Sequence, residues 1–219
     1  MNRPNAHALA AATDIAERLT APFILSASRN THRPTPQSLA NGAAGVALLH
    51  IERARAGQGD WTTAHAWLSA AAGGALSAGS NASLYFGVPA LAFVTHAAAE
   101  HTGKYQRAQA NLHTATTALT RTHLDQAHAR IDRGDRPALA EFDLIRGLTG
   151  LGAYHLRYDP HHEVTAAVLS YLVRLTEPLP GHTDGLPGWW TDLDPTGQAT
   201  PDYPEGHGNF GMAHGIAVI

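Results

Sequence analysis

The chain has 219 residues, 44% hydrophobic and 15% charged, which supplies a substantial core and excludes a disordered chain. Its formal charge of −3 excludes the basic face that nucleic-acid binding requires, and the absence of cysteine excludes disulfides and any thiolate metal site made by this chain alone. Asp14 and Glu17 interrupt any signal-like apolar run, and the uncharged, apolar stretch around Ser83 to Ala99 carries Pro89 and His96 and is marginal against the ~20 residues of a membrane span; a cytoplasmic protein is expected.

In chain order, Ala8, Ala12, Ile15 and Leu19 give a weak apolar stripe at helical spacing. Ser38-Leu39-Ala40-Asn41-Gly42-Ala43-Ala44-Gly45 then opens a nearly uncharged helix on a glycine. Asp60 stands at the N-cap of a helix running through Trp61, Ala64, Trp67 and Leu68. Ser83-Leu84-Tyr85-Phe86-Gly87 opens the second glycine helix, with Pro89 just inside it, where a missing N–H is tolerated. Ala108, Leu112, Ala115 and Leu119 mark the next amphipathic helix. Phe142-Asp143-Leu144-Ile145-Arg146-Gly147-Leu148-Thr149-Gly150-Leu151-Gly152 opens the third glycine helix. Val164, Val168, Tyr171 and Leu175 stripe its successor. A Gly-, Pro- and Asp-rich loop from Pro178 to Phe210, with Trp189-Trp190 inside it, precedes the fourth glycine start, Gly211-Met212-Ala213-His214-Gly215-Ile216-Ala217. No strand or hairpin signal occurs. The predicted fold is all-α, glycine-started helices alternating with amphipathic ones through about four pairs, as in a repeated helical hairpin. A helix that is apolar all round is a buried helix, so the glycine helices are the expected inner set.

Each buried helix start carries a different residue before its glycine: Asn41, Phe86, Arg146 and His214. His214 can serve as a general acid or base, since histidine titrates near neutrality, or as a core histidine bonded to backbone. Asp143 lies in an apolar segment, where an unpaired acid is costly. It can orient a histidine, cap the helix that opens at Gly147, or pair with Arg146. Arg146, Asn41 and Phe86 can line a pocket or serve in capping and packing. His207, Asp202 and His214 match no known metal-ligand spacing. No P-loop, nucleotide-binding glycine loop, nucleophile elbow or zinc-protease motif is present.

The four glycine motifs in this order, with Asp143 in the third and Met212-Ala213-His214-Gly215 as the fourth, resemble the lanthionine synthetase C-like family from about Ser38 to Ile219. The resemblance implies an α/α toroid, an inner helix ring inside an outer one. It implies a cyclase that forms lanthionine thioether rings by adding substrate Cys thiols to dehydroalanine or dehydrobutyrine. The implied substrate is a dehydrated precursor peptide, and a lanthipeptide dehydratase is a further partner. The family's zinc binds the substrate thiol and favours its thiolate. His214 matches the family's active-site histidine, a proton donor to the enolate, and Asp143 matches its acid. Arg146, Asn41 and Phe86 are the expected substrate contacts.

The chain also departs from that family. The family's zinc ligands are two Cys and one His in a C-terminal part, and its members are roughly twice this long. Val218 stands where the fourth motif would carry its second glycine. Residues 1–219 are therefore expected to form one domain holding about four of the family's seven helix pairs, truncated before the zinc-binding part. Alone it is expected to hold no zinc, to be inactive, and to expose an apolar flank. The alternative is a non-catalytic half-toroid that binds a peptide or a complementing chain. A glycosidase on an α/α barrel ranks last, because Asp143 has no second acid at an equivalent position.

Overall fold

A computed structural model describes residues 6–22 and 35–218; Ile219, the last residue of the fourth motif, lies outside them. The described residues contain α1 (Ala6–Arg18), α2 (Ala43–Arg55), α3 (Trp61–Ala72), α4 (Val88–Thr102), α5 (Gln106–Asp132), the short α6 (Leu139–Phe142), α7 (Leu148–Tyr158), α8 (Glu163–Leu175) and a 3₁₀ turn, Ile216–Val218. Extended pairing among them is limited to isolated bridges such as Thr191 with His207. The architecture is all-α, as the sequence predicts. The chain divides into two compact units: residues 1–76 with 94–109, and residues 77–93 with 110–219.

In the first unit, α2 packs on α3. Ala43, Ala44, Ala47 and Ile51 of α2, and Ala64, Trp67 and Ala71 of α3, are buried. Small residues at i, i+3 and i+4 let helix backbones approach closely. Trp67 is fully buried, so its indole N–H needs an acceptor; it donates to Leu19 O at 2.8 Å, and His50 Nε2 lies 2.7 Å from the same carbonyl. That carbonyl follows the end of α1, whose core-facing residue is Ala16, while Ile15 of the predicted stripe is 51% exposed. Asp60 caps α3 as expected, its Oδ1 accepting from Thr63 N at 2.8 Å.

In the second unit, Leu124, Ala127 and Ile131 of α5, Phe142 of α6, Leu148 and Leu151 of α7, and Val168, Tyr171 and Leu175 of α8 form one apolar cluster, with Trp189 of the long loop packed on it. The α8 stripe is wholly buried. That of α5 is not: Ala108 is exposed, and Thr116, Thr117 and Thr120 share the buried face with Leu119 and Leu124. Threonine is admitted there because Thr116 and Thr120 return their hydroxyl protons to Leu112 O and Thr116 O at 2.8 Å.

The glycine helices open by a shared construction. The second glycine of the first and third motifs, Gly45 and Gly150, lies against the carbonyl six residues earlier, Leu39 O and Leu144 O. A Cβ at either position would overlap that oxygen. The second motif differs, with Gly87 itself in the left-handed region at φ +77° and Ala90 at the later position. Only the first three turns of α4 are buried on nearly all sides; α2 and α7 are amphipathic, with Arg53, Leu156 and Arg157 facing away from the core.

Candidate active site

The second unit brings together Asp143, Arg146 and His214. Asp143 follows α6 and lies four residues before Gly147, where the chain turns sharply into α7. Its Oδ1 accepts the backbone N–H of Arg146 at 2.5 Å and of Gly147 at 2.9 Å. The carboxylate therefore caps the turn that leads into α7 rather than the helix itself, whose N-cap, Gly147, has no side-chain cap, and the partial positive charge of the helix N-terminus favours it there. Its side chain is fully buried, and its second oxygen, Oδ2, lies 2.6 Å from His214 Nδ1. Of the roles weighed for Asp143, the N-cap of α7 is not made, because Oδ1 is used on the two amides just before the helix, while Oδ2 is placed where it can orient the imidazole.

His214 is placed by backbone. Ala213 O accepts from Leu144 N at 3.1 Å, tying the segment before His214 to the residue after Asp143. Gly215 N donates to Gly211 O at 3.0 Å and Ile216 N to Asn209 O at 2.9 Å, while Asn209 Oδ1 accepts from Gly211 N at 2.8 Å. Gly215 is buried inside this turn, and a Cβ there would lie 2.6 Å from Asn209 Oδ1. The fourth glycine start is thus a folded turn followed by one 3₁₀ turn, with the imidazole at its corner.

A carboxylate only accepts, so His214 Nδ1 donates and Nε2 becomes the working nitrogen, with a lone pair in the neutral ring and a proton in the imidazolium. The imidazole is 47% exposed while its partner is fully buried. One end is thus fixed and the other is open to a reactant. Arg146 stands beside the pair, its Nε 3.9 Å from Asp143 Oδ2 and its side chain 47% exposed. Its other contact, Nη2 to Pro195 O, is long at 3.4 Å. The guanidinium is lightly held and can meet an anion.

The remaining sequence candidates make other contacts. Phe86 is half-buried before Gly87, its backbone exchanging hydrogen bonds with Ser83 at 2.9 and 3.0 Å. Asn41 belongs to the first unit, where its Oδ1 lies 3.4 Å from Thr35 Oγ1. The resemblance implies a zinc held by two Cys and one His. The chain has no Cys, and among the described residues no group of three His, Cys, Asp or Glu side chains could hold a metal. The residues present do not fit that ion.

One register in the sequence marks the capping role and is easily missed. Four residues before the first three helix glycines stand Ser38, Ser83 and Asp143. Ser38 Oγ accepts the amide of Asn41 at 3.3 Å, Ser83 O that of Phe86 at 3.0 Å, and Asp143 Oδ1 that of Arg146 at 2.5 Å. Each thus accepts the N–H of the residue just before its glycine. Asp143 occupies a serine position and differs by one extra oxygen, the one that meets His214.

A family model described as lanthionine synthetase C-like protein matches residues 33–219. Among solved structures, one titled nisin cyclase superposes with a TM-score of 0.67 at 18% sequence identity, over 98% of this chain and 51% of its own. The likeness shows the fold, an α/α toroid type, and the chain spans about half the length of that protein. No curated protein sequence matches. Among the described residues no helix is long and apolar enough to cross a membrane.

Proposed function

The chain belongs to the lanthionine synthetase C-like family, and from that premise we propose that it is the part of a lanthipeptide cyclase that carries a proton-transfer pair, Asp143 and His214. The substrate is a dehydrated precursor peptide. A Cys sulfur of the peptide forms a bond to the β-carbon of dehydroalanine or dehydrobutyrine, the C=C electron pair moves into an enolate, and the α-carbon then takes a proton. His214 Nε2 delivers it as a general acid. Asp143 holds Nδ1 as a donor, so the transferable proton sits on the exposed nitrogen. Arg146 offsets negative charge near the enolate or on the peptide, and Phe86 and Asn41 are further peptide contacts. A dehydratase partner and a cytoplasmic location complete this reading.

What supports it is the 2.6 Å contact between a half-exposed imidazole and a fully buried carboxylate. Conversion of the thiol to thiolate is assigned to no residue of this chain, since the ligands of the family's zinc are not among its residues. The test is His214→Asn in the whole natural protein that carries these residues. The rate at which a dehydrated peptide loses its alkylatable thiol falls about a hundred-fold or more, while zinc content by mass spectrometry is unchanged. Loss of zinc in that variant would overturn the assignment of His214 as proton donor. Tight peptide binding with no turnover even before substitution would favour the alternative, a non-catalytic module that binds a peptide or a complementing chain.

A further inference from the structure

A cleft of about 600 Å³ opens beside the Asp143–His214 pair, within the second unit, between α5, α6 and the turn before α7. One face of α5 supplies His123, Gln126 and Arg130, spaced three to four residues apart, so all three point the same way, and Arg133 follows in the turn just after the helix. Glu141 comes from α6, and Arg146 closes the end nearest the pair. Of the three guanidiniums, Arg130 faces Glu141, Arg133 meets Asp135 outside the lining, and Arg146 stands 3.9 Å from Asp143.

The floor of the cleft is already neutral. Arg130 is 7% exposed and meets Glu141 bidentately, through Nε to Oε2 at 3.0 Å and Nη2 to Oε1 at 2.6 Å, with Tyr171 also donating to Oε1 at 2.7 Å. The exposed N–H donors belong to the rim. Arg133 is 61% exposed, with Nε on Asp135 at 2.7 Å and Nη1 on Ala129 O at 3.1 Å. Among the described residues, Arg146 is held by the two long contacts described above. Gln126 adds an amide, and burial pulls the His123 pKa down, so near neutrality it contributes hydrogen bonding rather than charge. A donor-rich cleft with its carboxylate already used suits an acceptor-only ligand group.

We propose that this cleft is an anchoring subsite for acidic side chains of the peptide that the pair acts on. The inference rests on the peptide-substrate reading above. Arg146 is shared by the cleft and the pair, so an Asp or Glu held on its guanidinium fixes where the neighbouring peptide residues lie relative to His214 Nε2. Arg133, just past the end of α5, gives a second point of attachment and sets the direction of the chain. Neither point requires recognition of one particular side chain beyond its carboxylate, which suits a subsite that anchors rather than reads a sequence.

The test is a binding measurement independent of turnover. The anisotropy of a fluorescent glutamate-rich peptide is titrated with the protein, alongside its glutamine counterpart. The glutamate peptide binds more tightly, and added salt reduces the difference. Arg133→Gln weakens it about five-fold and Gln126→Glu about ten-fold, as expected for one exposed ion pair lost and for one repulsive charge added. Arg133→Lys restores most of the affinity, and thermal unfolding of the three variants stays near that of the parent. Equal binding of the two peptides, or indifference to Gln126→Glu, would overturn the proposal. So would displacement of the peptide by inorganic phosphate at far lower concentration than by free glutamate, which would make the cleft a phosphate site. Thioether formation that ignores peptide charge would sink this subsite and leave the cyclase reading standing. Charge-dependent binding with no thioether formed would do the reverse.

Discussion

Asp143 has two oxygens with two separate jobs, and three substitutions tell those jobs apart. Asp143→Ala removes both. The N–H of Gly147 keeps the backbone acceptor Asp143 O at 3.1 Å, whereas Arg146 N–H loses its 2.5 Å partner. An unmet amide at a helix start, with its cap gone, costs about 2 kcal/mol, or roughly 4–8 °C in Tm at this size. Asp143→Ser restores the side chain found at Ser38 and Ser83, so most of that loss returns, to within about 1 kcal/mol of the parent. It offers His214 nothing. Asp143→Asn keeps the capping oxygen but turns an amide N–H₂ toward His214 Nδ1, which must then accept, moving the ring proton to the wrong nitrogen for the neutral form. Stability read by circular dichroism therefore ranks Asp first, Ser and Asn close behind, and Ala last. Thioether formation, read as loss of alkylatable thiol in the whole natural protein, falls by about a hundred-fold in all three. If the serine variant melts with the alanine variant, the capping equivalence of the motifs is wrong. If it cyclises at the parental rate, the histidine needs no carboxylate and the pair is structural.

Three further outcomes follow from buried groups. His155 is fully buried; its Nε2 donates to Thr120 Oγ1 at 2.9 Å, Thr120 having given its own proton to Thr116 O, which leaves Nδ1 buried without a partner among the described residues. Burial first, then His113 and His162, pull its pKa from 6.5 to about 3. The folded state resists the proton that the unfolded chain accepts, so the stability from this group is whole above the unfolded value and falls away between 6.5 and about 3. It is about 2 kcal/mol smaller near pH 5 than near pH 7; urea unfolding checks it, and His155→Gln should flatten that slope. Gly45→Ala and Gly150→Ala force a methyl into Leu39 O and Leu144 O and cost about 3 kcal/mol or more. Gly57→Ala, with nothing within 4 Å but φ at +68°, costs only about 1 kcal/mol, and similar losses at all three sites would refute the close-approach account. Glu141→Gln leaves Arg130 buried without its counter-charge and costs about 3 kcal/mol; a shift in Tm under a degree or two would show that the pair is solvated.

Much of the fold was legible because it depends on spacing. The stripe Val164, Val168, Tyr171, Leu175 and the cap at Asp60 each follow from local chemistry that nothing nearby overrides. The α5 stripe was only half legible. Its buried face carries three threonines, two of which bond back to their own helix backbone, so polar residues sit where apolar ones are expected and Ala108 falls outside. For α2 and α7, near-absence of charge at the helix start suggested burial on all sides, yet Arg53, Arg55 and Arg157 sit in the later turns and set an outer face. The position of the long loop was visible from its Gly and Pro content. Its closure was not, because that rests on pairings such as Thr191 N to His207 O at 3.1 Å that bring residues from distant sequence together.

The site divides the same way. His214 and Asp143 could be chosen as residues, and their resemblance to a family's pair assigned them roles, but 71 positions separate them and no periodicity predicts a 2.6 Å contact. What joins them is the repeated helix start. Each glycine turn needs an acceptor for the amide just before it, and the residue four back supplies it. At Ser38 the acceptor is a hydroxyl and at Ser83 a backbone carbonyl. At Asp143 a carboxylate meets the same need with one oxygen and has another left over. Because the fourth start is tied through Ala213 O to Leu144 N, the residue before its glycine arrives beside that spare oxygen. The proposed proton-transfer pair thus needs no special scaffold beyond the fold: an aspartate at the position where Ser38 and Ser83 stand in two other motifs, and a histidine at the position where Asn41, Phe86 and Arg146 stand.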